Sequence, residues 1–595
     1  MFYFLMLIGF FIRLLLIPFS GFKADIAFWK GWGLAVADKG ILWLAENTNY
    51  NYPPGFAYVL FLINKIYKLF ADPYNIESYW SDGNLLYLFL FKIIFIAADI
   101  GIVYLLIKIS KLITQKKKNN QKISKWVLFL PLFYFLNPAS FFDGAHWGQV
   151  DQFGLLLFLL VIFFLIKEKI TEASVIFSLS YMMKFQNIIF IPLFYLFVWK
   201  KYSLAKMIDS LKWSALTLLI INLPFLISKR ADLLIKLLTI NNNYFPFYSL
   251  YAFNFWWILS GLDGMKIYDT NLIFGITTAR NFSVMLFSFF YALVVLLIIK
   301  SKKENLMKNF LLSATALVFF FFHLLTQSHE RYLYHVLGLL PLLFLFYLQD
   351  DKYKDRRLFI FYWLVSAVFF LNLYLTMFFN YPDQVLWFFD QQQTRLFTLY
   401  LSYLNIGLFG YFLVKFFLPE IIDEKIYLTG LIIIFFTGLI YKNLDYILKK
   451  PIYLTSIPPY SFSQDYMTPT YNKNLNSFLN PFNFGRISSN YYFYKQAIAS
   501  HTNSAIIYNL GGKFSRFKSD FGIETEADAN AEAFFIVEAD GRQIFRSEKK
   551  GHFDKPSTVD LKIDNVKQLV LKIQRVGSSN YGHHADWLNP VLISY

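Results

Sequence analysis

Thirteen apolar runs divide the first 450 residues, at about 2–19, 85–107, 126–141, 151–167, 172–184, 186–199, 211–228, 282–299, 309–326, 332–349, 358–379, 396–418 and 427–443. A helical run of about 20 apolar residues is long enough to cross a bilayer core. The chain is therefore expected to be a polytopic α-helical membrane protein of about 13 spans. The runs at 172–184 and 186–199 are short and broken at Lys184 and Gln186, an interruption of the kind that borders binding cavities in membrane proteins. The first run reads as a retained helix and not a cleaved signal peptide, because Arg13 interrupts it and no small-x-small site follows. Composition agrees: with 57% hydrophobic and 16% charged residues the chain is neither a cytosolic enzyme nor a disordered segment. With no Cys it has no disulfide, no thiolate nucleophile and no Cys metal site.

The formal charge of +17 is that of a basic protein, but its distribution points to lipid and not to nucleic acid. Lys and Arg bunch in short loops between the runs. One choice sets the orientation. The stretch 55–70, GFAYVLFLINKIYKLF, is read as an interfacial helix on the outer leaflet with Lys65 and Lys68 toward the headgroups. The loops 108–125, 167–172, 200–212, 300–308, 350–357 and 419–425 then fall inside and hold 22 Lys and Arg in 61 residues. The outer segments 20–84, 137–151, 229–281, 327–332 and 380–395 hold 12 in 155. The expected location is the cytoplasmic membrane, with the amino terminus inside and the carboxyl terminus outside.

After Lys450 the pattern changes. Hydropathy falls, and from about 504 short alternating segments follow one another: SAIIYNL, KFSRFKSDFGI, AEAFFIVE, RQIFRSE, STVDLKI, KQLVLKIQRV and PVLISY. These read as strands, with Asp540-Gly541 as a tight hairpin turn. The fold class expected for 452–595 is an all-β sandwich of the jelly-roll, galactose-binding-like kind, long enough to bury a core of its own. With YLTSI at 453–457, the run ending at His501, SRFKSDFGIE at 515–524, FIVEADGRQIFRS at 535–547 and HHADWLNPVL at 583–592, this tail resembles the NPCBM carbohydrate-binding modules. The resemblance implies sugar binding, with His501, His584, Asp586 and Trp587 as candidates. The alternative is that the HADW turn only fixes the terminal strand, with Trp587 in the core; stacking on a sugar needs an exposed ring.

In the membrane part, polar clusters fall on the outer side: Lys23-Ala24-Asp25 with Trp29 and Trp32, the Tyr52-Pro53-Pro54-Gly55 turn, NPASFFDGAHWGQVD at 137–151, the break at Lys184 and Gln186, and QSHERYLYH at 327–335. Polar groups at membrane depth are costly and face cavities. Carboxylates, imidazoles, a Lys and an Arg together suit group transfer from a phosphate: a carboxylate takes a proton from an acceptor hydroxyl, and cations stabilise the departing phosphate. No nucleotide-binding motif supports an active site on the inner face.

Each candidate has a structural alternative. Asp25 is a proposed base or a helix cap. His146, Gln149 and Asp151 shape a sugar or acceptor site or cap the following helix. Asp143 reads as a turn residue. Arg331 clamps a phosphate or snorkels to the headgroups, and His329 and Glu330 line the site or cap a helix. Lys184 contacts phosphate or sugar. Arg13 is expected to snorkel, Lys92 and Asp99 are placed in a cavity or a structural role, and His323 and Asp263 are unassigned.

Arg13, Asp25 with Trp32, Tyr52-Pro53-Pro54, Lys92 with Asp99, Asn137-Pro138, WGQVD at 147–151, Lys184 and Gln186 with Pro192, and HERYLY at 329–334 together resemble GT-C superfamily glycosyltransferases, most of all the bacterial Gpi18-like mannosyltransferases. The resemblance implies transfer of a sugar, mannose or another hexose, from a polyprenyl-phosphate-linked donor to an extracytoplasmic glycan, glycolipid or protein acceptor, with inversion. It maps the base onto Asp25, and Tyr52, Pro53, His146, Gln149, Asp151, Lys184, Gln186, His329, Glu330 and Arg331 onto substrate binding. Many relatives carry two acidic residues in this outer loop. This chain has one before Asp38, so no cofactor is firmly expected and a divalent metal is left open. The partners implied are the lipid-linked donor, the acceptor and the bilayer, with no nucleic acid. The rival readings are a glycolipid transporter or flippase and a non-catalytic surface glycan-binding protein.

Overall fold

The computed structural model describes residues 1–115, 129–240, 244–262, 264–273, 277–348, 355–421, 425–442, 451–475, 487–490, 492–578 and 581–595. The Lys-rich loop from 116 on, the start of the run at 126–141, the loop 350–354, Asp263 and the linker at 444–450 lie outside the described residues. Contacts divide the chain into two compact units. One comprises Met1–Phe245, Ser249–Leu262 and Leu286–Leu431; the other comprises Pro246–Tyr248, Asp263–Met285 and Ile432–Tyr595.

The first unit is helical. Among the described residues each apolar run lies mostly in helix, from Phe2–Leu16 and Leu85–Gln115 to Gln391–Phe412. Among the described residues, five helices are long and apolar enough to cross a membrane: Leu85–Thr114, Ala279–Lys300, Leu306–Leu324, Arg356–Asn380 and Gln391–Glu420. Shorter apolar helices include Phe2–Leu16, Asp151–Ile166, Ile170–Met183 and Val336–Tyr347.

The segment after the first run forms two helices, Lys23–Asn47 and Pro54–Phe70, packed on each other. Pro54 opens the second where its missing N–H costs nothing. That helix is amphipathic. Phe56, Leu60, Ile63 and Tyr67 face inward, while Tyr58, Phe61, Leu62, Leu69 and Phe70 form an exposed apolar stripe. Lys68 does not reach out as the sequence suggests; it pairs with Asp38 and donates to Tyr74 Oη at 2.9 Å.

Arg13 also departs from expectation. It is fully buried and does not snorkel. Its guanidinium pairs with Asp99 at 2.6 Å and donates to Phe135 O at 2.7 Å and Ser140 Oγ at 2.9 Å. Asp99 Oδ1 also accepts from Tyr134 Oη, which lies 2.7 Å from Tyr334 Oη. Lys92, one helical face along, donates to the carbonyls of Ile17, Phe19 and His146. A buried charge must be paired or fully hydrogen-bonded, and here the partners come from other helices that the sequence could not bring together. His323 stacks on Phe409, with ring centroids 4.6 Å apart.

Among its described residues the second unit carries two six-stranded antiparallel sheets, beside two two-stranded pairs. One orders Ser557–Lys562, Phe514–Ile523, His584–Ser594, Ala497–His501 and Thr470–Tyr471, with Ile452–Tyr453 also on the long last strand. The other orders Arg542–Arg546, Glu532–Ala539, Gln568–Arg575, Ser504–Asn509 and Ser461–Ser463, with Lys550–Gly551 also on Glu532–Ala539. Phe517, Phe521, Phe535, Leu571 and Trp587 meet between them. The strands read from the sequence are all present, and Asp540 and Gly541 both take positive φ, 48° and 80°, at the hairpin.

Two features differ from the sequence reading. The HADW segment is no turn but the start of the strand His584–Ser594. The sandwich also does not stand alone, because residues 246–248 and 263–285 belong to the same compact unit. Phe247 and Tyr268 pack their rings on Tyr492, at 5.1 and 4.7 Å, and Asn271 meets Asn589 at 2.8 Å.

Candidate active site

The site grows from a short-range device at Gly21. With φ at +65°, this residue lets the chain turn after the first helix, and a Cβ there would lie 2.3 Å from Trp147 O. The segment after the first helix therefore lies directly on the loop 137–151. Phe22 N donates to Trp147 O at 3.3 Å, and the Phe22 ring stacks on Trp147 at 5.0 Å.

Asp25 follows, three residues into the helix Lys23–Asn47, whose N-cap is Phe22. Its carboxylate does not cap that helix. Oδ2 accepts from Trp147 Nε1 at 3.1 Å and from Gln149 Nε2. Among the described residues Oδ1 accepts no hydrogen bond, and the residue is half-buried. Burial raises its pKa, against the lowering effect of Arg331, its strongest charged neighbour, and of Trp147.

The loop 137–151 is shaped by Asn137, whose side chain accepts from Ala139 N at 3.0 Å, by a widened turn at Phe142–Trp147, and by Gly148 in the left-handed region at φ 85°. The turn brings Gln149 to Asp25 and Asp151 to the first position of the helix Asp151–Ile166. Asp151 does not cap this helix either. Its Oδ2 lies 3.0 Å from Lys184 Nζ and 3.8 Å from Arg331 Nε, while its Oδ1 has no hydrogen bond.

Lys184 reaches Asp151 because the helix Ile170–Met183 stops there. Lys184 is extended (φ −141°, ψ 115°) before the short 3₁₀ turn Phe185–Phe190. The interruption visible in the sequence thus borders the site. Gln186 donates to Tyr332 O at 2.8 Å and so braces the third loop and not the cluster itself. In that loop, Ser328–His329 pairs with Ser249–Leu250. Arg331 turns inward onto Glu330 and toward Asp151 and does not extend to the headgroups. His329 Nδ1 is 3.6 Å from Glu330 Oε2. Burial favours the neutral form of Glu330, but Arg331 and His329 outweigh it and hold the carboxyl down at about 2. Burial, then Arg331, lowers the His329 pKa.

Tyr52 closes one wall. Its ring lies 5.8 Å from Lys184 Nζ and packs on Trp29 at 5.0 Å and Phe56 at 5.2 Å. Pro53 contributes its carbonyl to Tyr50 Oη at 3.0 Å and starts the helix Pro54–Phe70. The His146 ring is sandwiched between Phe142 and Phe19, at 4.6 and 5.0 Å. Burial and then Lys92 keep it neutral, lowering its pKa to about 4.

Asp143 was missed as a site residue. It reads as a turn residue in the sequence, yet it is fully buried with Oδ1 unpaired, and burial and then Asp151 push its carboxyl well above the usual range. The one signal available was its eight-residue spacing from Asp151 across a Gly-containing turn. Among the described residues, no cluster of three or more His, Asp or Glu is arranged to hold a metal ion.

In the sandwich, the four candidates do not form one accessible surface. Trp587 is fully buried between the sheets, so it offers no face to a sugar; it is a core residue. Asp586 is fully buried with neither oxygen hydrogen-bonded. His501 and His584 pair in register across neighbouring strands, with ring centroids 5.5 Å apart.

Fold and site together define a polytopic membrane protein with a cluster of acids and cations in its helical part and a β-sandwich appended. Two family models match within it: the NPCBM/NEW2 domain over residues 450–593 and the GPI transamidase subunit PIG-U over residues 59–260. Comparison with curated protein sequences gives no match. Among solved structures, CBM51 from Clostridium perfringens GH95 in complex with methyl-galactose is similar to the tail at 22% identity. That match covers 24% of this chain and 99% of the other, with a TM-score of 0.22. CBM51-2 of ZmpB from the same organism, in complex with GlcNAc, is 18% identical, with 24% and 31% covered and a TM-score of 0.22. The arabinosyltransferase EmbB from Mycobacterium smegmatis matches at 11% identity with a TM-score of 0.23. It covers 96% of this chain, which spans 64% of EmbB. The two family models thus match separate parts of the chain, one within the helical part and one over the tail.

Proposed function

We propose that the membrane part transfers a hexose, mannose or a relative of it, from a polyprenyl-phosphate donor to an extracytoplasmic glycan, glycolipid or protein acceptor, with inversion. The observation that carries this reading is the state of Asp25. One oxygen is held by Trp147 and Gln149, the other accepts no hydrogen bond among the described residues, and burial raises the pKa toward the range useful to a base. An acceptor hydroxyl at Oδ1 gives its proton to Asp25 as its oxygen attacks the anomeric carbon from the side opposite the phosphate. The C–O bond to phosphate breaks, and the departing negative charge is met by Arg331 and Lys184. An Arg fork matches two phosphate oxygens. Asp151 holds both cations in place before substrate arrives, and Gln149 orients Asp25. Tyr52 and His329 line the sugar, while Pro53, His146, Gln186 and Glu330 set the loops.

In this reading residues 1–450 form the transferase in the cytoplasmic membrane. The helix at 55–70 lies on the outer leaflet, the aromatic stretch 244–257 guides the lipid chain, and the sandwich at 452–595 holds glycan outside. Product analysis with short-chain polyprenyl-phosphate sugars and purified protein tests it. Glycoside formed with inverted configuration is the expected result, and no transfer from any lipid-linked hexose overturns it.

One observation favours a second, non-catalytic reading: the matching model over 59–260 describes a transamidase subunit. Under it, Asp25→Asn leaves the cell's phenotype unchanged.

A further inference from the structure

Residues 381–390 join two helices that are each long enough to cross a membrane, Arg356–Asn380 and Gln391–Glu420. A connection this short between two spanning helices lies at one surface of the bilayer. Phe388 in it is 95% exposed, Leu386 is 86% exposed, and Phe389 stands exposed beside them. Among the described residues no large apolar side chain is more exposed than Phe388.

The backbone under these side chains is held in place. Tyr374 Oη donates to Leu386 O at 2.6 Å, and Trp387 Nε1 donates to Thr394 Oγ1 at 2.9 Å. The Trp387 ring turns onto Tyr374 and Phe397, at 6.1 and 5.8 Å. Leu386 and Phe388, on either side of Trp387, are left outside this packing. The exposed apolar surface continues along the second helix through Leu396, Tyr400, Tyr403 and Leu404. The base of the connection is tied to the segment leading to Asp25. Tyr381 Oη accepts from Ala24 N at 3.0 Å, Gln384 Oε1 accepts from Ser20 Oγ at 3.0 Å, and Asp383 pairs with Lys23 at 2.8 Å.

We propose that Leu386, Phe388 and Phe389 form an apolar finger that inserts among the acyl chains of the leaflet at this end of the two helices. Exposed apolar side chains gathered in one place mark a contact with a membrane or another protein. Two observations single out lipid. The finger stands on two spanning helices, and its apolar surface runs on into the exposed face of one of them. It is also free of cations. Between Asn380 and Arg395 the charged residues are Asp383, paired with Lys23, and Asp390, which caps the next helix by accepting from Gln393 N at 2.7 Å. With no Lys or Arg at the tip, headgroup phosphate has nothing to pair with, and insertion rests on apolar burial alone. Trp387 and Tyr381 at the foot of the finger combine a ring with a polar atom, the character suited to headgroup level. The proposal requires only the bilayer and is independent of the transfer reaction.

The chain has no Cys, so Phe388→Cys in the full-length protein takes a single environment-sensitive nitrobenzoxadiazole label. The protein is reconstituted in phosphatidylcholine vesicles. Lipid brominated on its acyl chains is one quencher, and iodide on both sides of the membrane is the other. The same label on Asp564→Cys, at an exposed turn of the sandwich, is the aqueous reference. The label at 388 is expected to emit at shorter wavelength than the reference, to be quenched by brominated lipid, and to be quenched by iodide about threefold less than the reference, as for a group in the acyl region. Phe388 is exposed, so the change leaves the packing intact. Phe389→Cys should behave alike, and adding Leu386→Ser and Phe388→Ser to it should restore iodide quenching. An aqueous spectrum at 388 with iodide quenching equal to the reference puts the finger in water and overturns the proposal. Shielding from both quenchers means that protein covers it, a second copy or another part of this chain, and overturns lipid as the partner. Quenching by brominated lipid only when anionic lipid is added overturns the apolar basis of insertion.

Discussion

Lys184 Nζ lies 3.0 Å from Asp151 Oδ2, both side chains are almost wholly buried, and Arg331 Nε is 3.8 Å from the same oxygen. One carboxylate thus orders two cations drawn from segments more than 140 positions apart. Removing one partner of a buried pair leaves an uncompensated charge and costs about 3–5 kcal/mol, whereas replacing both by apolar groups is much milder. Lys184→Met is therefore expected to lower thermal stability in detergent more than Lys184→Met combined with Asp151→Leu. A double variant less stable than the single one would mean that Arg331, not Lys184, is the main partner of Asp151.

Asp25→Asn keeps size and removes the proton acceptor. Transfer should fall by roughly 10²–10⁴-fold, the range for a general base, with insertion unchanged. Because burial raises the Asp25 pKa, the acidic limb of the pH–rate profile should lie above the ordinary carboxylate value of 3.8. Near-normal turnover of the Asn variant rejects Asp25 as the base and moves attention to Asp151.

Arg331→Lys retains charge but not the fork, and Arg331→Gln retains neither. Transfer is expected to fall in the order wild type, Lys, Gln, with the Gln variant lower by about 10²-fold or more, as on loss of an electrostatic donor. Sugar binding by the sandwich should not change. Equal rates for all three would exclude Arg331 from the leaving-group side.

The sandwich should show an unusual pH dependence. Burial, then Glu524, raises the Asp586 pKa well above the usual range, and burial raises that of Glu524. The folded state then holds protons that the unfolded chain has released, so stability is greatest at low pH and is lost as pH rises through the raised values. The protection factor of the strand Glu532–Ala539 against hydrogen exchange in the full-length protein, corrected for the intrinsic pH dependence of exchange, should fall between acidic and neutral pH, and Asp586→Asn should flatten that slope. A variant with the wild-type slope would remove Asp586 as its source.

The absence of Cys makes a topology test direct. Single Cys residues replacing exposed Asn49 and Asp564 should react with an impermeant thiol reagent in intact cells, and one replacing exposed Lys303 should be shielded. Labelling at 303 in sealed cells reverses the orientation.

Run length and periodicity alone determined where helix and strand lie, since burying backbone in lipid demands helix and a half-buried sheet demands alternation. They marked the break at Lys184, the polar clusters and the Asp540-Gly541 hairpin. Side-chain partners were another matter. Arg13 and Asp99 are 86 positions apart, and Asp25 and Gln149 are 124 apart. Nothing local distinguishes an Arg that snorkels from one that meets a buried Asp. Asp143 looked like any turn carboxylate, and Trp587 could be read as a sugar platform or as core, until packing buried both. Local sequence determines conformation through short-range sterics and hydropathy, whereas burial, charge compensation and exposure are properties of whatever the rest of the chain brings alongside, and only the tertiary structure decided those.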